Sequence, residues 1–407
     1  MDLTWSQKED GFRVEARAWL EENLAIWRGA HGDHIPSGDT AEGFAIHLAW
    51  ERMLFDARWA VVSWPEEHGG RDASLWEWLI FEEEYYRAGG PPRVTQNGIF
   101  LLAPSVFEFG TPQQQSHVLA RMARGDDRWC QGWSEPNAGS DLASLTSRAR
   151  RVDGGWVLDG QKTWTTRGAF CSHLFGLFRT DPESERHRGL SYLLVPLDLD
   201  GVTVRGFGRL DGDEGFAEVF FDGAFLADDA IPGGVVLGAV DQGWSVAMAT
   251  TSSERGLTLR SPGRFLATAD RLIDLCHDRS GSSDSAHAGR STQTRGAADD
   301  QSATDLEDRV VRCWMAAEAY RLHTLQTVTA TVEGRPAGAE TSLTKLWWSE
   351  LDIELHETAL DLLGDAAELD GPWSKGWQFS LSGPIYAGTN EIQRNIAAER
   401  VLGLPRK

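Results

Sequence analysis

An α+β chain of three consecutive domains, helical, then antiparallel β, then helical, is the fold class this 407-residue sequence predicts. Two changes of hydrophobic period carry the prediction. Apolar residues recur every three or four positions from Ser6 to about Arg124, alternate in short runs from about Trp129 to Pro232, and return to helical spacing after Gly243. The expected boundaries are 1–127 for an N-terminal helical domain, 128–240 for a middle antiparallel β domain, and 241–407 for a C-terminal four-helix-bundle domain with an insertion at 280–305.

Taken in order, apolar residues recur at helical spacing in Phe12, Val14, Ala18, Trp19 and Leu20, and in Trp76, Leu79, Ile80, Glu83 and Tyr86 as a mixed face. WPEEHGG, Trp64 to Gly70, interrupts the period with Pro and paired Gly, and Gly89-Gly90-Pro91-Pro92 stops the next helix. The middle third reads as strands: GGWVLDGQKTWTT, HLFGLFRT, GLSYLLVPL, GVTVRGF and FAEVFFDG, separated by Gly, Asp and Asn. Segments this short at this spacing indicate a sandwich or barrel. Four helical runs follow: WSVAMATTSSERGL, RFLATADRLIDLC, LEDRVVRCWMAAEAYRLHTLQTVTATV and LTKLWWSELDIELHETALDLLG. Between Ser280 and Asp305 the only apolar residues are alanines, so this segment has nothing to bury and is expected to be a polar loop.

Lys plus Arg number 39 and Asp plus Glu 61, a formal charge of −22 that repels phosphate backbones and anionic lipid. Nucleic-acid binding is therefore not expected, and an anionic ligand has to be held by local arginines or backbone N–H groups. Cys130, Cys171, Cys276 and Cys313 lie far apart without metal-ligand or CxxC spacing, so they read as reduced thiols, and no metal site is expected. The first residues lack the basic and apolar regions of a signal peptide, and no apolar run approaches the ~18 residues that span a bilayer. The expectation is a soluble, cytoplasmic protein without membrane contact. The 18 tryptophans are scattered through every segment, as core and interface residues are.

Two clusters stand at the start of the β domain: Gln131-Gly132-Trp133-Ser134-Glu135-Pro136-Asn137-Ala138-Gly139-Ser140-Asp141 and Gly160-Gln161-Lys162-Thr163-Trp164-Thr165-Thr166. Neither is a Walker A or GxGxxG pattern. A loop of small residues and hydroxyls brings N–H groups against a planar heterocycle, and an indole such as Trp164 stacks on one. Each cluster alone also fits a plain turn.

In this order, SWPEEHGGRDAS, SEPNAGSDLASL, DGQKTWTT, EVFFDG, SSERGL and the tail IYAGTNEIQRNIAAERVLGLP closely resemble the acyl-CoA dehydrogenase family of FAD flavoenzymes, over essentially all of the chain outside 280–305. The resemblance implies the same three-domain architecture. It implies that Gln131, Trp133, Ser134, Gly139 and Ser140 line the flavin and the acyl-thioester pocket. Trp164 and Thr166 would lie along the isoalloxazine, with the Thr166 hydroxyl near flavin N5, and Thr389 and Glu391 would contact the adenosine half. An arginine of a neighbouring subunit reaches the pyrophosphate in the family from an RxxFG motif. Here Arg290 and Arg295 stand in that region without the Phe, Arg295 being the better placed.

The family's reaction removes a proton alpha to a thioester and passes the beta hydride to flavin N5. The commonest position for the base directly precedes the GT of the tail motif, but here it is Ala387, which takes no proton. A branch that includes isovaleryl-CoA dehydrogenase places the Glu in an ER pair on a C-terminal-domain helix, and this chain has Glu254-Arg255 there. The resemblance thus implies Glu254 as base, the Ala387 backbone N–H as donor to the thioester carbonyl, and Arg255 as a partner of CoA or of Glu254. It further implies an acyl-CoA substrate, an electron-transfer flavoprotein as acceptor, and a homodimer or homotetramer, with Trp347, Trp348 and the run Trp373 to Trp377 as interface candidates because the family's subunits pack on the C-terminal domain. Two alternatives use the same fold: a flavin-dependent oxygenase, and a non-catalytic subunit paired with an active homologue. Chain length and branching of the acyl group are not legible. An acyl carrier protein, itself acidic, is disfavoured by the −22 surface relative to CoA.

Overall fold

The computed structural model describes residues 4–32, 34–255, 261–287, 297–335 and 338–405, without the side chains of 252–255, 280–287 and 297–303. Helices α1 (Gln7–His31), α2 (Ala41–Asp56), α3 (Leu75–Arg87), α4 (Ala103–Phe109) and α5 (Pro112–Arg124) come first. Their ends follow local chemistry. The Thr40 hydroxyl accepts from Gly43 N–H at the start of α2. At α5, Thr111 and Gln114 form a reciprocal capping box, Pro112 takes the first turn, and Gly125 closes the helix with φ 75°. The expected break at WPEEHGG is a short 3₁₀ turn, Glu66–His68, ended by Gly69 at φ 92°.

The β region holds β1 (Trp129–Gly132), β2 (Arg148–Val152), β3 (Gly155–Thr166), β4 (His173–Arg179), β5 (Leu190–Pro196), β6 (Val202–Phe207), β7 (Phe216–Ala227) and β8 (Val236–Leu237). They form one sheet in the order β6-β7-β3-β2-β4-β5-β8, with β1 beside β4. Most pairings are antiparallel, as expected, but β1 runs parallel to β4, and β2 meets β4 in a single parallel register pair. β4 and β5 are buried along almost their whole length, which makes them the centre of this region's core. β1 and β2 escape sequence reading. β1 has four residues, and β2 is Arg-rich with only Ala149 fully inside.

Helices α6 (Gly243–Arg255), α7 (Pro262–His287), α8 (Ala297–Val332), α9 (Thr341–Leu363), α10 (Pro372–Ser380) and α11 (Asn390–Ile396) complete the chain. The chain divides into two compact units. One comprises Met1–Leu20, Leu79–Gly90 and Arg260–Lys407, the other Glu21–Trp78 and Pro91–Leu259. In the first, α7, α8 and α9 enclose a core of Phe265, Leu272, Val310, Cys313, Tyr320, Trp348 and Leu355. Helix α6 lies in the second unit, where Val246, Ala247 and Thr250 are buried. Trp348 is a core residue, with Trp347 and Trp373 packed against the same cluster, so Trp348 is unavailable to a subunit interface. The segment expected to be a loop from Ser280 to Asp305 is in part helical: α7 continues to His287 and α8 begins at Ala297. Once a packed helix is nucleated, each further turn costs little, so α7 and α8 run on past the residues that pack. The remainder, with Arg290 and Arg295, lies outside the described residues.

Candidate active site

Within the Glu21–Trp78 and Pro91–Leu259 unit, the two sequence clusters are joined by backbone and by charge. Gln131 is half-buried on β1, and Trp133 just beyond it is buried edge-on against Tyr192, centroids 6.2 Å apart. The loop then folds on itself through Glu135 and Ala138, which exchange backbone hydrogen bonds, and leaves Gly139 and Ser140 exposed. Ser134 is tied to β3, because its carbonyl accepts from Thr163 N–H at 2.9 Å.

β3 presents Trp164 by breaking its own alternation. Trp156, Leu158 and Lys162 point inward, and unbroken alternation would put Trp164 there too. The register on β7 shifts between Lys162 and Thr165, so that Thr163 and Trp164 oppose one residue of β7. Trp164 takes φ 57°, its side chain is 61% exposed, and Thr165 goes inside instead. A left-handed aromatic residue costs about 1–3 kcal/mol and persists only where its surroundings enforce it. Here Phe207 and Phe216 hold the indole edge-on, at 5.3 and 5.6 Å. Thr166 ends β3 half-buried, and Arg167 after it, also left-handed at φ 54°, pairs with buried Asp39 at 2.5 Å. An exposed indole held from its edges beside an open loop of Gly and Ser fits the face of a planar ring system such as the flavin of FAD.

In the other unit, the tail motif is a helix start. Ala387 and Gly388 are both left-handed, at φ 57° and 80°, and Thr389 caps α11 by accepting from Ile392 N–H. Gln393 reaches back to the carbonyls of Ala387 (2.9 Å) and Gly388 (3.3 Å). Asn390 accepts from the fully buried Lys345 ammonium at 2.6 Å and from Ser349 at 3.2 Å, which fixes α11 on α9. Among the described residues, the Ala387 N–H donates to none. The exposed Glu391 carboxyl sits below its ordinary range because its own backbone N–H and the Thr389 hydroxyl bond to it. Ala387, Thr389 and Glu391 therefore share one turn.

Glu254 and Arg255 are the last residues of α6, and their side chains lie outside the described residues. The helix is anchored one turn earlier by Thr250, which bonds Ser105 at 2.7 Å, Tyr192 at 3.3 Å and the Val246 carbonyl. Sequence reading did not single out the buried pair Lys162–Glu135 or the cluster Asp39–Arg167–Arg209. The signal for Lys162 was its parity with Trp156 and Leu158 on β3. Asp39 and Arg209 are brought together across loops and carry no local pattern. Among the described residues no group of His, Cys, Asp or Glu suits a metal, and no helix is long and apolar enough to cross a membrane.

Sequence models of the acyl-CoA dehydrogenase N-terminal, middle and C-terminal domains match residues 6–126, 130–224 and 241–402. The chain is 39% identical over 417 residues to the acyl-CoA dehydrogenase IpdE1 of Mycolicibacterium smegmatis, covering 97% of this chain and 98% of that protein. It is likewise 39% identical to IpdE1 of Mycobacterium tuberculosis, covering 98% and 99%. Among solved structures, the Tcur3481-Tcur3483 steroid ACAD superposes with a TM-score of 0.79 at 25% identity over the full length of both chains. Matched along nearly its whole length and in all three domains, the chain belongs to the acyl-CoA dehydrogenase family, oxidoreductases that act on CH–CH bonds.

Proposed function

We propose that the chain binds FAD and forms an α,β double bond in an acyl-CoA thioester with Glu254 as the base. The observation that carries this is the tail: Ala387 has no proton acceptor on its side chain but a backbone N–H without a partner among the described residues. That position is suited to hold a carbonyl oxygen and unable to take a proton, which leaves Glu254 at the family's other base position. Bound FAD supplies the acceptor for the β hydride. Glu254 removes the α proton, and the Ala387 N–H donates to the thioester oxygen as negative charge grows there. Trp164 stacks along the flavin, Thr166 places its hydroxyl near the ring, and Arg255 meets the CoA portion or Glu254. Gln131, Trp133, Ser134, Gly139 and Ser140 form the wall on the loop side, and Thr389 and Glu391 stand toward the adenosine half. Electrons leave to an electron-transfer flavoprotein.

The likeness to a steroid ACAD supports a ring-bearing acyl group as the class to try first. An exposed apolar stripe on α8, Val311, Trp314, Met315 and Leu322, supports a second subunit on that helix. Glu254→Gln keeps shape and removes the base. The variant should still bind FAD and acyl-CoA, while anaerobic flavin bleaching slows by roughly 10²-fold or more. Bleaching at the parental rate would remove Glu254 from the reaction. Steroid-ring, branched and straight-chain acyl-CoAs in the same assay rank the substrate classes.

A further inference from the structure

We propose that the buried ion pair Lys162–Glu135 is a positioning device that locks the small-residue loop to the β3 bulge and so sets Trp164 and Thr166 for FAD. The inference rests on the flavin reading above and concerns two buried residues outside the set assigned to flavin or substrate.

Lys162 is fully buried, and its ammonium donates to three acceptors in two segments, the loop after β1 and strand β4. These are Glu135 Oε1 at 2.8 Å, the Leu177 carbonyl of β4 at 2.8 Å and, more weakly, the Trp133 carbonyl at 3.4 Å. Glu135 spends its remaining capacity on the loop's far end, accepting from Thr146 N–H at 2.7 Å, the Thr146 hydroxyl at 2.9 Å and Ser147 N–H at 2.9 Å. One carboxylate thus closes the loop Ser134–Ser147 on itself, and one ammonium fastens it to β3 and β4. Burial alone would raise the Glu135 carboxyl, but Lys162 and the donors of Thr146 and Ser147 outweigh it and hold it at about 2. Burial pushes the Lys162 ammonium down, to about 8, so the pair is charged at neutral pH.

Stability does not account for such a pair. Desolvating two charges costs several kcal/mol, and apolar residues of like volume commonly serve a core as well or better. What apolar residues lack is direction: they would leave loop and bulge free to slide. The position matters because Lys162 is the last paired residue before the bulge, and Arg167–Asp39 fixes the chain just after Thr166. Thr163 to Thr166 are thereby held at both ends by buried charge, with Trp164 at a backbone angle it would not adopt unaided.

The test measures FAD affinity by flavin fluorescence, together with the part of the tryptophan quenching on FAD binding that Trp164→Phe abolishes, well below the unfolding temperature, in parent and variants. Lys162→Met/Glu135→Gln removes both charges and should unfold near the parental temperature. It should bind FAD about ten-fold or more weakly, with reduced Trp164 quenching. Glu135→Asp, which keeps the charge and shortens the arm, should weaken FAD several-fold and guards against a double variant that does not fold. Leu54→Ala on α2 lowers stability by a cavity among the N-terminal helices and should bind FAD as the parent does. Parental FAD affinity in the double variant or in Glu135→Asp overturns the proposal, as does equal weakening in Leu54→Ala. A parent that takes up no FAD overturns the flavin reading itself, and this inference with it.

Discussion

Asn390 illustrates how single residues hold the tail motif. It offers one oxygen to Lys345 and Ser349, and it sits at the first turn of α11, beside Thr389 and Glu391. Asn390→Leu fills the same space but takes an acceptor from a buried ammonium, so a loss of about 2–4 kcal/mol is expected in urea denaturation. Adding Lys345→Met removes the buried charge and should recover most of that loss. A double variant as unstable as the single one would mean that shape, rather than charge, sets the requirement. Ala387 and Trp164 both hold left-handed angles without being glycine, and both lie in segments the family resemblance assigns to the site, in line with strain collecting at working positions.

At the scale of elements, α1 is joined to α3 by charge. Buried Glu84 accepts from Arg13 at 2.9 Å, Arg17 at 3.0 Å and Arg87 at 2.6 Å, while neighbouring Glu83 meets Arg321 of α8 at 2.7 Å. Burial alone would raise the Glu84 carboxyl, but three guanidinium groups outweigh it and hold it at about 2 against an ordinary 4.5. A carboxyl depressed in the folded state stabilises fully above its unfolded value and loses that contribution as pH falls toward its folded one. Glu84→Gln should therefore cost about 1–3 kcal/mol at pH 7, with the gap to the parent closing between about pH 4.5 and 2. Urea denaturation across that range checks it, and a gap independent of pH would reject the ion-pair account. The helices flanking the polar insertion teach a different lesson. Ser, Gly and Asp in SGSSDSAH argue against a helix locally, yet α7 continues through them because its earlier turns pack on α8 and α9.

For the whole molecule, the exposed stripe of α8 and a surface charge of −22 act in opposite directions on association. The charge is spread over the surface, whereas the stripe is apolar and local, so a specific interface survives the general repulsion at moderate salt. The purified protein should be yellow and scatter light as a dimer or tetramer. A monomer that keeps one FAD per chain would rule out a flavin site completed by a second subunit. Substituting Trp314 and Met315 by Ser and Gln should dissociate the assembly if the stripe is the interface.

Period and punctuation alone determined the succession of helices, strands and helices, the breaks at WPEEHGG and Gly89-Gly90, and the strands β3 to β7, because alternation and three-to-four spacing report burial one element at a time. The loop from Gln131 to Asp141, the TWTT segment and the GTNEIQ tail stand out in the sequence only through their resemblance to the family, which is visible because each is continuous in the chain. What joins them is not continuous. Only tertiary structure could seat Lys162 against Glu135, Arg167 against Asp39 and Lys345 against Asn390, since each pair closes a long loop and neither partner carries a local sign of the other. Only the sheet's register could turn Trp164 outward, because one extra residue in β3 reverses the side that parity assigns. Likewise, α6 is legible in the sequence as a helix with a buried face. Its buried face, anchored by Thr250 to Ser105 and Tyr192, places it with the sheet, and hydrophobic spacing says that a face is buried without saying against what.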